Sequence, residues 1–210
     1  FVHGALCVSY SGRCLLSYAI GGRSGNRGRC AQPCRRRYRL EDRHGRHVAG
    51  PAHFLSLKDL NLAEHLDELV AAGVTAFKIE GRLKDATYVA NITAFYRRKL
   101  DLLRGRTGLR GSSSGAVTLH FSPDPAKTFN RGYSSFFLNG RAQQLASLKT
   151  AGWAGEFVGT VVSAGPRSFK LATVHDLHNG DGISFFDARG ELCGTVVNRV
   201  EGAAVFPASM

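Results

Sequence analysis

Cys7, Cys14, Cys30 and Cys34, four of the five cysteines in the chain, all fall before Tyr38. Four thiolates so close in sequence can hold a tetrahedral zinc ion or a cubane iron–sulfur cluster. Two disulfides would suit a small secreted domain better than a chain of 210 residues able to bury its own core. The spacing is C-x6-C-x15-C-x3-C, and only its last pair has the tight knuckle form common in zinc ribbons. Gly12, Gly21, Gly22, Gly25 and Gly28 between them would let the backbone fold closely over an inorganic core and aim amide donors at sulfur. The expectation is a 4Fe-4S cluster held by the four thiolates, with zinc or unrelated thiols as the alternatives.

A second candidate is the run KIEGR, where Lys78, Glu80 and Arg82 follow the apolar stretch VTAF. If that stretch is a strand of a parallel sheet, its C-terminal end faces the site, and the three side chains could bind phosphate or orient a base. The plainer reading is a Lys–Glu pair bracing the rim, with Gly81 making the turn.

Lys and Arg outnumber Asp and Glu by 28 to 16, for a net charge of +12, which attracts a polyanion over long range. Nucleic acid is the leading candidate partner. Arg35, Arg36 and Arg37 crowd the fourth cysteine, and Arg97 and Arg98 lie in a helical stretch. Either group could follow a phosphate backbone, although such charges more often form a solvated face. Tyr10 and Tyr38 suit core packing better than base stacking, and FNRGY at 129–133, which could form a second basic-aromatic contact, is expected rather to seal a domain junction. The lone Cys193 reads as a small apolar residue. The eight histidines form no HExxH, and there is no G-x-S-x-G elbow or recognisable Cys–His arrangement. No apolar run approaches the ~20 residues a membrane helix needs, so no membrane partner is expected.

These residues need elements to position them. HFLSLKDL reads as a strand entering a helix capped by Ser56 or Asp59, with Leu62, Leu66, Leu69 and Val70 on one face and Gly73 as the stop. VTAFKIE is the next strand. A helix from about Asp85 to Arg104 follows, with Val89, Ile92, Tyr96, Leu100 and Leu103 on its stripe. Alternating strands and helices imply parallel (β/α) units, but a closed barrel takes eight. The fold expected is α/β plus β: part of a TIM-type (β/α) barrel over 1–105, a linker over 106–127, and a junction segment with a small antiparallel β-barrel over 128–210.

FVHGALCVSYSGRCLLS, through Gly4, Ala5, Leu6, Cys7, Gly12, Cys14, Leu16 and Ser17, resembles the signature of the collagenase-like U-32 peptidase family. GRSGNRGRCAQPCR, the segment 77–101, TFNRGYSSFFLNGR at 128–141 and NGDGI at 179–183 are similar to its RNA-hydroxylating branch. The resemblance implies an iron–sulfur enzyme that hydroxylates a cytidine of 23S ribosomal RNA. It assigns Cys7, Cys14, Cys30 and Cys34 as cluster ligands and prephenate as an associated metabolite. Sister activities in the family are hydroxylation of a tRNA uridine and collagenase-like peptidase action. Full members carry further barrel units upstream, so this chain, which opens at Phe1, is expected to be a C-terminal part that joins a missing upstream segment. A cluster suits a reducing cytoplasm.

Overall fold

The computed structural model describes residues 1–10, 13–108, 110–111, 117–141, 144–172 and 176–209; Gly12 of the signature and part of the expected linker lie outside them. The chain divides into two compact units, Phe1–Trp153 and Ala154–Met210. Residues 128–153, the expected junction segment, fall in the first unit. Backbone bonds hold them there: Asp59 N donates to Gly132 O, Lys58 N to Leu145 O and Ser147 N to Ser56 O.

The first unit is built on short strands. β1 (His3–Gly4) pairs antiparallel with β4 (Asp59–Asn61), which pairs parallel with β5 (Tyr133–Ser134). A parallel bridge joins His3 to Ile79. The sheet is thus mixed, and among the described residues of 1–105 the expected part of a TIM-type (β/α) barrel is not seen. The reason lies in the connection: the chain between β1 and β4 is the cysteine segment and a hairpin, not the crossover helix a parallel pair requires. That hairpin, β2 (Tyr38–Glu41) and β3 (His47–Ala52), lies in the charged run between the cysteine segment and HFLSLKDL. Its turn is held by Asp42, whose carboxylate accepts from the amides of His44 and Arg46 and from Arg46 Nε. Of VTAFKIE only the end pairs, with Val2 N donating to Lys78 O and Glu80 N to His3 O.

Three helices complete the unit. α1 (Leu16–Gly21) lies in the cysteine segment, and α2 (Leu66–Ala71) follows a single 3-10 turn. Neither Ser56 nor Asp59 caps α2: Ser56 accepts from Arg35, and Asp59 is in β4. The long helix α3 (Ala86–Thr107) begins where Asp85 accepts a hydrogen bond from Tyr88 N at 2.7 Å, and ends at Gly108 in the left-handed region. Its buried face is Tyr88, Ile92, Tyr96 and Leu103, while Val89 of the expected stripe is exposed. That face meets Val2, Leu60, Leu62 and Leu66 in the main core. Ile92 and Leu66 are almost wholly buried, each worth about 1.5–3 kcal/mol.

The second unit is an antiparallel sheet of β6 (Val161–Ala164), β7 (Phe169–Leu171), β8 (Gly182–Phe186), β9 (Leu192–Glu201) and β10 (Ala204–Pro207), in the order β6-β7-β10-β9-β8. Register shifts at Val161/Ser163 and Phe206/Pro207 help curl it around Leu171, Val197 and Val205. Among the described residues β6 and β8 do not pair, so the expected small barrel is a half-barrel with open edges. Cys193 lies in β9 opposite Phe185, half-buried.

Candidate functional site

The cysteine segment brings its thiols into one neighbourhood. Cys7 follows β1, Cys14 precedes α1, and Cys30 and Cys34 flank a 3-10 turn at Pro33–Arg35. Cys14 and Cys30 meet over Gly25, where an added Cβ would sit 3.7 Å from Cys30 Cβ and 4.0 Å from Cys14 Cβ. Burial pushes the Cys34 thiol up; the Arg35 charge opposes that shift, while Cys7, Cys30 and Cys14 lie close enough to add to it. The framework is polar and local. Asn26 Oδ1 accepts from Cys14 N, Ser17 Oγ from Ala31 N, and Gln32 N donates to Cys30 Sγ at 3.2 Å.

All five cysteines are free thiols. Among the described residues no group of three or more His, Cys, Asp or Glu side chains is arranged to hold a metal ion. The bond from Gln32 N to Cys30 Sγ is of the kind that a thiolate ligand receives from the backbone around it.

Arg35 locks this segment to the sheet. Its guanidinium donates to Ser56 Oγ at 3.0 Å, Leu57 O at 2.7 Å and Leu6 O at 2.9 Å. An arginine committed to three neutral acceptors is a structural pin, so it is not free to meet a phosphate. Arg37 donates to Pro51 O, and Arg97 is ion-paired with Asp101. Arg36 and Arg98 are exposed and have no ion pair among the described residues.

Beside the thiols lies an open cavity of about 680 Å³. Ala5 and Gln32 from the cysteine segment form one part of its wall, and Glu80, Arg82, Lys84 and Tyr88 another. Lys127, Phe129, Arg131 and Trp153 complete it. Two of the expected KIEGR residues are therefore brought here. Lys78 is not: it is exposed, and its carbonyl accepts from Val2 N. Glu80 approaches the chain at Gly4 so closely that a Cβ there, at a φ of +119°, would come within 2.8 Å of Glu80 Cβ. Only glycine allows that contact. Glu80 Oε1 then accepts from Arg82 N at 2.9 Å, tying the turn together.

The far wall is cationic and aromatic. Arg131 pairs with the buried Asp59 at 3.2 Å and stacks 4.7 Å from the Phe129 ring centre. Lys84 Nζ lies 3.4 Å from the same ring centre. Burial lowers the Lys84 pKa, as does the Arg131 charge, while Asp59 and Asp85 act the other way. Burial also raises the Tyr88 pKa to about 12, keeping it a neutral phenol. Gln32 and Leu83, two of the three non-glycine residues with positive φ among the described residues, line this cavity. Such backbone strain gathers at binding sites. Phe129 and Arg131, read from the sequence as a junction, are thus part of the site, and Lys84 and Trp153 were not singled out at all. The basic-aromatic alternation of FNRGY was the one visible signal.

Four of the free thiols thus lie in the segment that lends Ala5 and Gln32 to an open, basic and aromatic cavity, in the first of the two units. The chain belongs to peptidase family U32, whose family model matches residues 1–147. It is similar to a 23S rRNA 5-hydroxycytidine synthase of Escherichia coli, with 44% identity over 96% of this chain and 31% of the relative. A tRNA hydroxylation protein of Helicobacter pylori is 40% identical over 48% of the chain and 26% of its own length. A collagenase of Porphyromonas gingivalis is 29% identical over 96% of the chain and 55% of its own length. The chain thus spans about a third of the length of the rRNA-directed relative. No solved structure matches it.

Proposed function

We propose that this chain is part of an RNA-hydroxylating enzyme that acts on a cytidine of 23S ribosomal RNA. The observation that carries the reading is the 44% identity to the 23S rRNA 5-hydroxycytidine synthase, which extends over 96% of the chain and through both units. Cys7, Cys14, Cys30 and Cys34 would hold a 4Fe-4S cluster, which supplies electron-transfer chemistry when bound. The chain's own residues do the rest. Arg35 fixes the thiol segment to the sheet, and Gly4 lets Glu80 close the wall between that segment and the cavity. Phe129 and Trp153 offer aromatic surface to a base taken out of its stack, a requirement for chemistry at a ring carbon. Among the described residues no helix is long and apolar enough to cross a membrane.

The test uses a strain lacking the full-length gene, complemented with the intact protein or with Cys14→Ser. Mass spectrometry of its RNA should show one oxygen missing from a single 23S cytidine, restored by the intact protein alone. An unchanged 23S RNA with an altered tRNA uridine would move the activity to the tRNA branch. No RNA change, with collagen cleavage by purified full-length protein, would make it a peptidase. Anaerobically purified protein should also carry about four irons and four sulfides per chain.

A further inference from the structure

We propose that Lys84, Lys127 and Arg82 form an oxyanion-binding subsite in the 680 Å³ cavity, taking a phosphate or carboxylate group of a ligand whose planar part lies against Phe129 and Trp153. The inference goes beyond RNA hydroxylation and stands without it, because it follows from the charge balance of the cavity wall.

Four cations line the cavity: Arg82, Lys84, Lys127 and Arg131. Arg131 is satisfied, with Asp59 and the Ala151 carbonyl as its partners. The carboxylates of the wall are also occupied by the backbone. Glu80 Oε1 accepts from Arg82 N, and Asp85 Oδ1 from Tyr88 N. Arg82, Lys84 and Lys127 are left without an ion pair among the described residues. Of the three, Lys84 is the most telling. It is half-buried, and its ammonium rests on the Phe129 and Tyr88 rings, which offer it π-faces but no hydrogen-bond acceptor. An ammonium half withdrawn from water with no carboxylate in ion-pair contact is costly, and burial, then Arg131, lower its proton affinity against the opposing effects of Asp59 and Asp85. An arriving oxyanion would accept a charge-assisted hydrogen bond from Lys84, while the exposed Lys127 and Arg82 could swing onto its remaining oxygens. Lys84 and Arg131 both lie against the Phe129 ring, so the Lys84 cation is positioned before the ligand comes.

Trp153 is the chain's sole tryptophan and lines this cavity, so its fluorescence reports on the subsite directly. Inorganic phosphate and benzoate are titrated separately into the full chain, against sodium chloride at matched ionic strength. At least one oxyanion should give a saturable change in emission that chloride does not reproduce. Lys84→Met and Lys127→Met should each weaken it about tenfold or more, while Lys99→Met, which removes a partner of Glu64 outside the cavity, should leave it intact. A response to phosphate points to a nucleic-acid phosphate, and one confined to benzoate to a carboxylate co-substrate. Lys127 is exposed, so its variant keeps the fold even if Lys84→Met does not, and circular dichroism checks both. No saturable change with either anion, or a change that survives in Lys127→Met and in folded Lys84→Met, overturns the proposal. Failure here leaves RNA hydroxylation to be judged by mass spectrometry alone.

Discussion

His3 shows how much one residue can be asked to do in this fold. It is fully buried against Tyr88, Tyr96 and Tyr133, its Nδ1 lies 3.3 Å from Tyr96 Oη, and its Nε2 has no partner among the described residues. Tyr96 Oη donates to Val2 O at 2.9 Å and lies 3.1 Å from Asn61 Oδ1, so the group joins α3 to β1 and β4. Burial lowers the His3 pKa from 6.5 to about 4, against an opposing contribution from Asn61. Above pH 6.5 the ring is neutral in both folded and unfolded chains and has no effect on pH dependence. As pH falls from 6.5 towards 4, the unfolded chain takes up a proton that the folded one refuses, so stability is lost across that window. Each unit of depression corresponds to about 1.4 kcal/mol. Urea unfolding at pH 7 and pH 5 should therefore show a loss of roughly 2 kcal/mol from this residue, and His3→Gln should flatten the slope by that much. An unchanged slope in the variant would mean that the ring is not buried neutral.

At the scale of elements, α3 is the clearest success of local reasoning, because its limits are set by local chemistry. Asp85 offers an acceptor to Tyr88 N, and Gly108 takes the left-handed turn that ends the helix. Asp85→Ala should cost about 1 kcal/mol in thermal or denaturant unfolding, with Asp85→Asn recovering most of it. Loss of less than a few tenths would show that packing of Tyr88 and Ile92 fixes the helix start without the cap. The strand pattern was less legible. VTAFKIE has a strand's composition, yet only its end has a neighbour, because β1 is two residues long. The hairpin β2–β3 escaped notice because its turn depends on one carboxylate, Asp42, collecting three donors within a charged run. Of KIEGR, Glu80 and Arg82 do reach the cavity wall and Lys78 does not. The cavity itself was not legible, since Lys84, Phe129 and Trp153 come from separate stretches and meet only through the fold.

For the molecule as a whole, the net charge of +12 says less about nucleic-acid binding than the number of cations still free to bind it. On α3 and its surroundings much of the basic charge is already used: Arg97 and Arg104 pair with Asp101, Lys99 with Glu64 and Arg106 with Asp67. Exposed pairs of this kind contribute little to stability, but each engages a cation that a phosphate would have to win over. Arg35 is removed from the count altogether by its three bonds to the frame. If RNA is the partner, the logarithm of affinity should fall linearly with the logarithm of salt concentration, with a slope set by the phosphates neutralised. Arg36→Ala and Arg98→Ala should each reduce that slope by about one while leaving the unfolding midpoint in place. Arg35→Ala should act in the opposite manner, lowering stability by roughly 2–4 kcal/mol because the carbonyls of Leu6 and Leu57 lose their donor, with its effect on RNA following from the damaged thiol segment. Filter binding of a 23S fragment at four salt concentrations separates the two behaviours. A slope unaffected by Arg36→Ala and Arg98→Ala together would place the RNA surface elsewhere on the chain.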